Sequence, residues 1–139
     1  MNNEPIIKCG VCGNELEEVR PNKHQCNYCE SMTLPTYQIK IYLSGPIEVA
    51  KQVIREHLLE RPLCVTIEPT TFIYVGGEEA GYVVGLLNYP RFPTPPNELN
   101  VRASILAEIL IKKTFQRSAL IVRPEDTTWL TLENIEKTI

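Results

Sequence analysis

The sequence predicts an α+β fold in which a short cysteine-rich segment precedes a larger domain. Two Cys-x2-Cys pairs lie within the first 35 residues, which show little regular periodicity. From residue 36 onward, two kinds of segment follow one another along the chain. In one kind every second residue is apolar, which is typical of half-buried strands, and in the other kind apolar residues recur at helical spacing. The chain has 139 residues, enough for one domain and a small module. We therefore divide it into residues 1–35 and residues 36–139.

The first half of the larger domain is predicted to form a strand, a helix and a strand. Tyr37–Leu43 alternates with period two, which indicates a half-buried strand. Proline is favoured at the first helical position, so we expect a helix to begin at Pro46. Leu63–Ile67 is the second predicted strand, and Phe72–Val75 extends it past a kink expected at Pro69.

The second half is predicted to form a strand, a helix and a strand again. Gly76–Gly81 is predicted to be a glycine-rich turn that leads into the paired strand Tyr82–Leu87. A helix is expected over Asn97–Phe115 and a strand over Ser118–Arg123, while residues 131–139 form a short helix or frayed chain. The resulting order, β-α-β-β-α-β, is the ferredoxin-like arrangement.

Composition and charge narrow the class of protein. Fourteen Lys and Arg residues against seventeen Asp and Glu residues give a net charge of -3. Proteins that bind nucleic acid through its phosphates are usually basic, so nucleic-acid binding is disfavoured. The segment Met1–Pro5 has neither the basic nor the apolar region of a signal peptide, and no apolar stretch approaches the roughly 20 residues that span a bilayer. We therefore expect a cytoplasmic protein with reduced cysteines and no membrane contact.

The cysteine spacing predicts a metal site. Thirteen residues separate the two Cys-x2-Cys pairs, and each pair can form a tight turn that points both sulfurs inward. Four thiolates suit tetrahedral zinc, and they leave no open position for a substrate. Iron in a rubredoxin-like site is the alternative, since four thiolates also hold iron. The expected ligands of this single structural ion are Cys9, Cys12, Cys26 and Cys29.

The same segment resembles the zinc-ribbon family over about a quarter of the chain. Gly13 matches the glycine that usually follows the first cysteine pair of that family, whereas Glu30 departs from the glycine that many members repeat after the second. The resemblance implies a four-cysteine zinc ribbon built on a hairpin between the two pairs. The segment has too few apolar side chains for a core of its own, so we expect the metal to hold it folded and to take no part in chemistry.

Two classes of function follow, and the first is a zinc-binding interaction or adaptor protein. The predicted ribbon and the proline-rich loop 89–96 would contact a protein partner or nucleic acid, and the acidic charge favours protein. Rigid aromatic and arginine side chains are common interface anchors. The candidate partner-binding residues are therefore Tyr89, Arg91 and Phe92. The helix after residue 97 is apolar over a wide surface, which we expect to pack on the N-terminal segment or on a second copy of the chain.

The second class is a small enzyme with a site on the loops of the α+β domain and purely structural zinc. Its conceivable members are Glu68, Glu78, Tyr89 and Arg91. No Cys/His or Ser/His/Asp arrangement can be recognised from spacing alone, so the adaptor is the preferred interpretation and the enzyme is the alternative. A pocket with converging ionisable groups would favour the enzyme.

Overall fold

A computed structural model of the chain describes residues 8–15, 17–20, 23–25 and 31–137. The described residues form two compact units. The smaller unit takes its residues from 1–36 and 88–94, and the larger unit takes its residues from 37–87 and 95–139. The proline-rich loop therefore belongs mostly to the smaller unit, although in sequence it lies between two elements of the larger one.

The smaller unit contains a three-stranded antiparallel sheet with the order β1-β2-β3. These strands are β1 (Glu17–Arg20), β2 (Lys23–Gln25) and β3 (Met32–Thr33). An isolated bridge joins Lys8 to Glu15, on either side of the first cysteine pair.

The larger unit confirms the predicted α+β class, with a five-stranded antiparallel sheet in the order β5-β6-β4-β7-β8. The first six elements follow the predicted strand and helix order. A further strand and a short helix come after them. The elements are β4 (Gln38–Ser44), α1 (Ile47–Glu60), β5 (Val65–Tyr74), β6 (Gly77–Leu87), α2 (Pro96–Lys113), β7 (Ser118–Val122), β8 (Thr127–Thr131) and α3 (Leu132–Lys137).

The β5–β6 hairpin differs from its prediction in two ways. Pro69 lies inside one continuous strand, paired with Tyr82, and does not divide two shorter ones. Because β5 is an edge strand, a residue without a backbone N–H is tolerated there. The turn is also tighter than expected, with Gly76 at a φ of 86° and β6 beginning at the next residue. Glu78 and Glu79 therefore lie on a strand and not at a turn tip.

The hydrophobic core of the larger unit lies between the sheet and its helices. The strands contribute alternate residues, among them Ile39, Ile41 and Leu43 of β4, all of which are buried. Helix α2 packs against α1 and α3 as well as against three strands of the sheet. These contacts bury much of the wide apolar surface of α2 within the unit itself, and packing of α2 on a second copy stays a prediction. Within the described part of the chain, no helix combines the length and the apolar character required to cross a bilayer.

Candidate active site

The face of the five-stranded sheet that points away from α1 and α2 carries the candidate site. The core-facing residues of β4 are odd-numbered, so Tyr42 lies on the opposite face, which we call the open face. Tyr42 pairs with Val83 on one side and with Leu120 on the other. Val83 in turn pairs with Glu68, and Leu120 pairs with Trp129. Because directly paired residues share a face, these five side chains form one row across all five strands, which we call the cross-strand row.

A cleft of about 210 Å³ opens on this face between β4, β6 and β5, and we call it the sheet cleft. Gly85 lies at its floor, paired with Lys40 on β4 and with Thr66 on β5. A Cβ at Gly85 would lie 2.4 Å from the Thr66 Oγ1, so only glycine fits without a shift of its neighbour. The lining residues are Gln38, Lys40, Tyr42, Thr66, Glu68, Pro69, Thr70, Val83 and Gly85.

Three lining residues bring charge and an aromatic ring to the sheet cleft. Lys40 and Glu68 are exposed, and Tyr42 is half-buried. Tyr42 and Glu68 lie on strands that flank β6, so their Cα atoms are about 10 Å apart across the cleft. Lys40 lies two residues from Tyr42 on the same face of β4. The cleft therefore offers an ammonium and a carboxylate with a phenol ring near them, which suits a small ligand that carries both a cation and an anion.

A polar network holds the neighbouring part of the sheet in place. The Tyr37 hydroxyl donates to the Glu125 carboxylate, 3.1 Å from each oxygen, and accepts from the Asn100 Nδ2 at 2.9 Å. The Asn100 Oδ1 accepts from the Arg123 Nε at 2.8 Å, and the Arg123 Nη1 donates to the Thr128 Oγ1 at 2.7 Å. The network thus connects the entry to β4, the first part of α2 and strand β8. It fixes β8, which carries one end of the cross-strand row.

The two glutamates predicted for the enzyme interpretation separate in the structure. Glu68 lines the sheet cleft, whereas Glu78 lies farther along the hairpin, paired with Ile73. Lys40 and Tyr42 were not predicted for this site. Alternation in β4 would have placed those two together, but only the pairing of β4 with β6 and of β6 with β5 brings Glu68 to them.

The predicted partner-binding residues lie in the smaller unit. The Phe92 backbone N–H donates to the Tyr89 carbonyl oxygen at 3.0 Å, which closes a turn at this point of the loop. The Arg91 guanidinium lies over the ring of Phe92, 5.3 Å from its centroid, and both side chains are exposed. The cation and the ring of this pair therefore already contact each other.

The first cysteine pair is described and the second is not. The Val11 backbone N–H donates to the Cys9 Sγ at 3.3 Å, and Gly13 adopts the expected positive φ of 79°. Cys26 and Cys29 lie outside the described residues. The described stretches contain no group of three or more His, Cys, Asp or Glu side chains able to hold a metal ion. Metal binding thus finds no support there, and the four-cysteine ligand set stays a prediction.

Cys64 and His57 lie outside the sheet cleft. Cys64 is exposed and comes just before β5. His57 of α1 is half-buried. Its partial burial, and after that the positive charge of Arg102, lower the pKa of His57 below its usual value.

Comparison with known proteins gives structural neighbours only. The sequence matches no protein-family profile and no curated protein. A phage SAM lyase in its apo state has a similar structure, with a TM-score of 0.57 and 13% identity, over 70% of this chain and 90% of that chain. A phage SAM lyase in complex with S-methyl-5'-thioadenosine has the same TM-score and 12% identity, over 70% of this chain and 91% of that chain. At such low identity the likeness shows a shared fold.

These findings contradict the preferred interpretation of the sequence. The neighbours are enzymes, so the interpretation as a zinc-binding adaptor that engages a partner through the ribbon and loop 89–96 is wrong. The same finding contradicts the expectation that the protein is more likely not an enzyme. The alternative, a small enzyme with its site on the α+β domain, agrees better with the neighbours and with the charged cleft on the sheet.

Proposed function

We propose that the protein is a small lyase that binds S-adenosylmethionine at the sheet cleft and breaks a carbon–sulfur bond to release S-methyl-5'-thioadenosine. One observation supports this most strongly. Lys40, Tyr42 and Glu68 line one small cleft on the open face. The reaction class comes from the phage SAM lyases that share the fold, one of them in complex with S-methyl-5'-thioadenosine.

The charges of the cleft match the reacting end of this substrate. S-adenosylmethionine carries a positive sulfonium and, a few bonds away, a carboxylate. The Glu68 carboxylate and the electron-rich face of Tyr42 attract a cation, and the Lys40 ammonium attracts a carboxylate. Each exposed ion pair alone is weak, so recognition depends on two opposite charges being presented together.

The chemistry indicates how Glu68 should affect the kinetics. When the carbon–sulfur bond breaks, the bonding pair moves onto sulfur and the positive charge disappears. An oxygen of the substrate's own carboxylate bonds to the carbon that sulfur leaves, so homoserine lactone is the second product. Attraction to Glu68 is therefore stronger for the substrate than for the transition state. We expect Glu68→Gln to raise KM about two- to fivefold, on the order of 0.4–1 kcal/mol, without lowering kcat.

The test is turnover of S-adenosylmethionine by the purified 139-residue chain. S-methyl-5'-thioadenosine is quantified by chromatography against a blank without protein, which corrects for spontaneous breakdown. Glu78→Gln is the matched control, because Glu78 is an exposed carboxylate of the same hairpin outside the cleft. Product formation above the blank, a raised KM in Glu68→Gln and normal kinetics in Glu78→Gln support the proposal. No product above the blank, or equal kinetics of Glu68→Gln and the unmodified protein, refutes it.

A further inference from the structure

The cross-strand row continues beyond the sheet cleft to an exposed apolar surface. Leu120 of β7 and Trp129 of β8 pair with each other and lie next to Tyr42 in the same row. Their exposed fractions, 38% and 68%, are high for such large apolar side chains. About 10 Å separates the Cα atoms of Tyr42 and Trp129, because one strand lies between theirs.

A second and larger cleft opens beside Trp129, with a volume of about 460 Å³. This volume falls within the usual range for small-molecule sites, whereas the 210 Å³ of the sheet cleft falls below it. Ser118 and Thr131 pair with each other across β7 and β8 and bring two hydroxyls to the cleft. Its full lining is Arg117, Ser118, Trp129, Thr131, Leu132, Glu133 and Glu136.

These properties suit a flat, neutral ring system with polar edges. The exposed indole offers a stacking surface, and the hydroxyls of Ser118 and Thr131 both donate and accept hydrogen bonds. The Arg117 Nη1 lies 4.0 Å from the Glu133 Oε1, so much of the charge in this cleft is already balanced within it. A purine nucleoside has this combination of a flat face, polar edges and no net charge.

We infer that Trp129, supported by Leu120, is the stacking platform for the purine base of the substrate. This inference rests on the proposed function. The sulfonium lies near Tyr42 and the base lies over Trp129, one ribose away along the cross-strand row. Trp129 thereby selects a sulfonium that carries adenosine over a simple alkyl sulfonium.

The single tryptophan of the chain makes a direct test possible. Tryptophan fluorescence therefore reports on Trp129 alone, and S-methyl-5'-thioadenosine is titrated against it. S-methylmethionine, a sulfonium without adenosine, is the control ligand. We expect a saturable change with the nucleoside and none with S-methylmethionine. Equilibrium dialysis measures binding of the nucleoside independently of any optical signal.

Variants separate stacking from fold stability. Trp129→Ala should weaken binding of the nucleoside about tenfold, and Trp129→Phe should recover part of it, because a base also stacks on a smaller ring. Ile73→Ala, which removes another exposed apolar side chain of the sheet, should bind normally. Thermal melting verifies that each variant is folded.

The outcomes distinguish the inference from the proposed function. Turnover of S-adenosylmethionine with no fluorescence change, and with normal KM in Trp129→Ala, would overturn the platform while the lyase stands. Fluorescence change and weakened binding in Trp129→Ala without turnover would support the platform and overturn the lyase. Neither binding by dialysis nor turnover would overturn both.

Discussion

Gly85→Ala tests whether the Thr66 hydroxyl excludes a side chain from the floor of the sheet cleft. The new Cβ would lie 2.4 Å from the Thr66 Oγ1 but 3.8 Å from the Thr66 Cβ, so only the hydroxyl is in the way. Turning that hydroxyl aside strains the rotamer by about 0.5–1.5 kcal/mol. Replacing glycine by alanine in a strand raises the free energy of unfolding by about 0.5–1 kcal/mol. We expect the free energy of unfolding of the single variant to lie within about 1 kcal/mol of that of the unmodified protein.

Gly81→Ala is the matched comparison in the same strand. Its Cβ would lie 2.4 Å from the Leu43 carbonyl oxygen and 2.4 Å from the Phe72 Cε2. A backbone oxygen within a paired strand cannot rotate away as a hydroxyl can. The free energy of unfolding should therefore fall by about 1–3 kcal/mol, as for an overpacked core.

A double-mutant cycle with Thr66→Ala, measured by urea unfolding, isolates the proposed clash. Once the hydroxyl is removed, Gly85→Ala should increase the free energy of unfolding by about 0.5–1 kcal/mol. The reasoning is refuted if Gly85→Ala has the same effect with and without Thr66→Ala, or if Gly81→Ala costs less than Gly85→Ala.

Three further predictions concern other parts of the chain. The buried Tyr82 hydroxyl lies near Thr114 but makes no well-aligned hydrogen bond within the described ranges. Tyr82→Phe should therefore raise the free energy of unfolding, measured in urea, by up to about 1 kcal/mol. A lower free energy of unfolding in the variant would refute this. Burial and Arg102 lower the pKa of His57 in the folded protein below 6.5. The unfolded chain therefore binds the proton more readily than the folded protein does, and stability falls as the pH drops through and below that value. His57→Gln should therefore shrink the loss of Tm between about pH 7 and about pH 5, with His24→Gln as the control. If the four predicted cysteine ligands bind zinc, elemental analysis should find the metal in the purified chain and not in Cys9→Ser. A metal-free unmodified chain would contradict the prediction.

Strands and helices were predicted from the sequence where the apolar pattern within the element itself is clear. Strand β4 alternates strictly because one face of it is buried in the core. Strand β8 was missed, since its five residues, Thr127–Thr131, are mainly exposed or half-buried at the edge of the sheet. Only hydrogen bonding to β7 makes that segment a strand.

The candidate site was harder to predict because it depends on strand order. Glu68 and Tyr42 are far apart in sequence, and β6 brings them to one cleft by pairing with both of their strands. No motif spacing encodes that arrangement. A stacking role for Trp129 could likewise not be predicted, because only its pairing with Leu120 places it in the same row as Tyr42.

Pro69 also affects what the outer edge of the sheet can do. Strand β5 has a neighbour on one side only, and its ten residues would otherwise be a long template for an incoming strand. A proline has no amide hydrogen to donate, so a foreign strand cannot form a continuous ladder there. The same residue that the edge tolerates thus makes β5 a poorer template for an incoming strand.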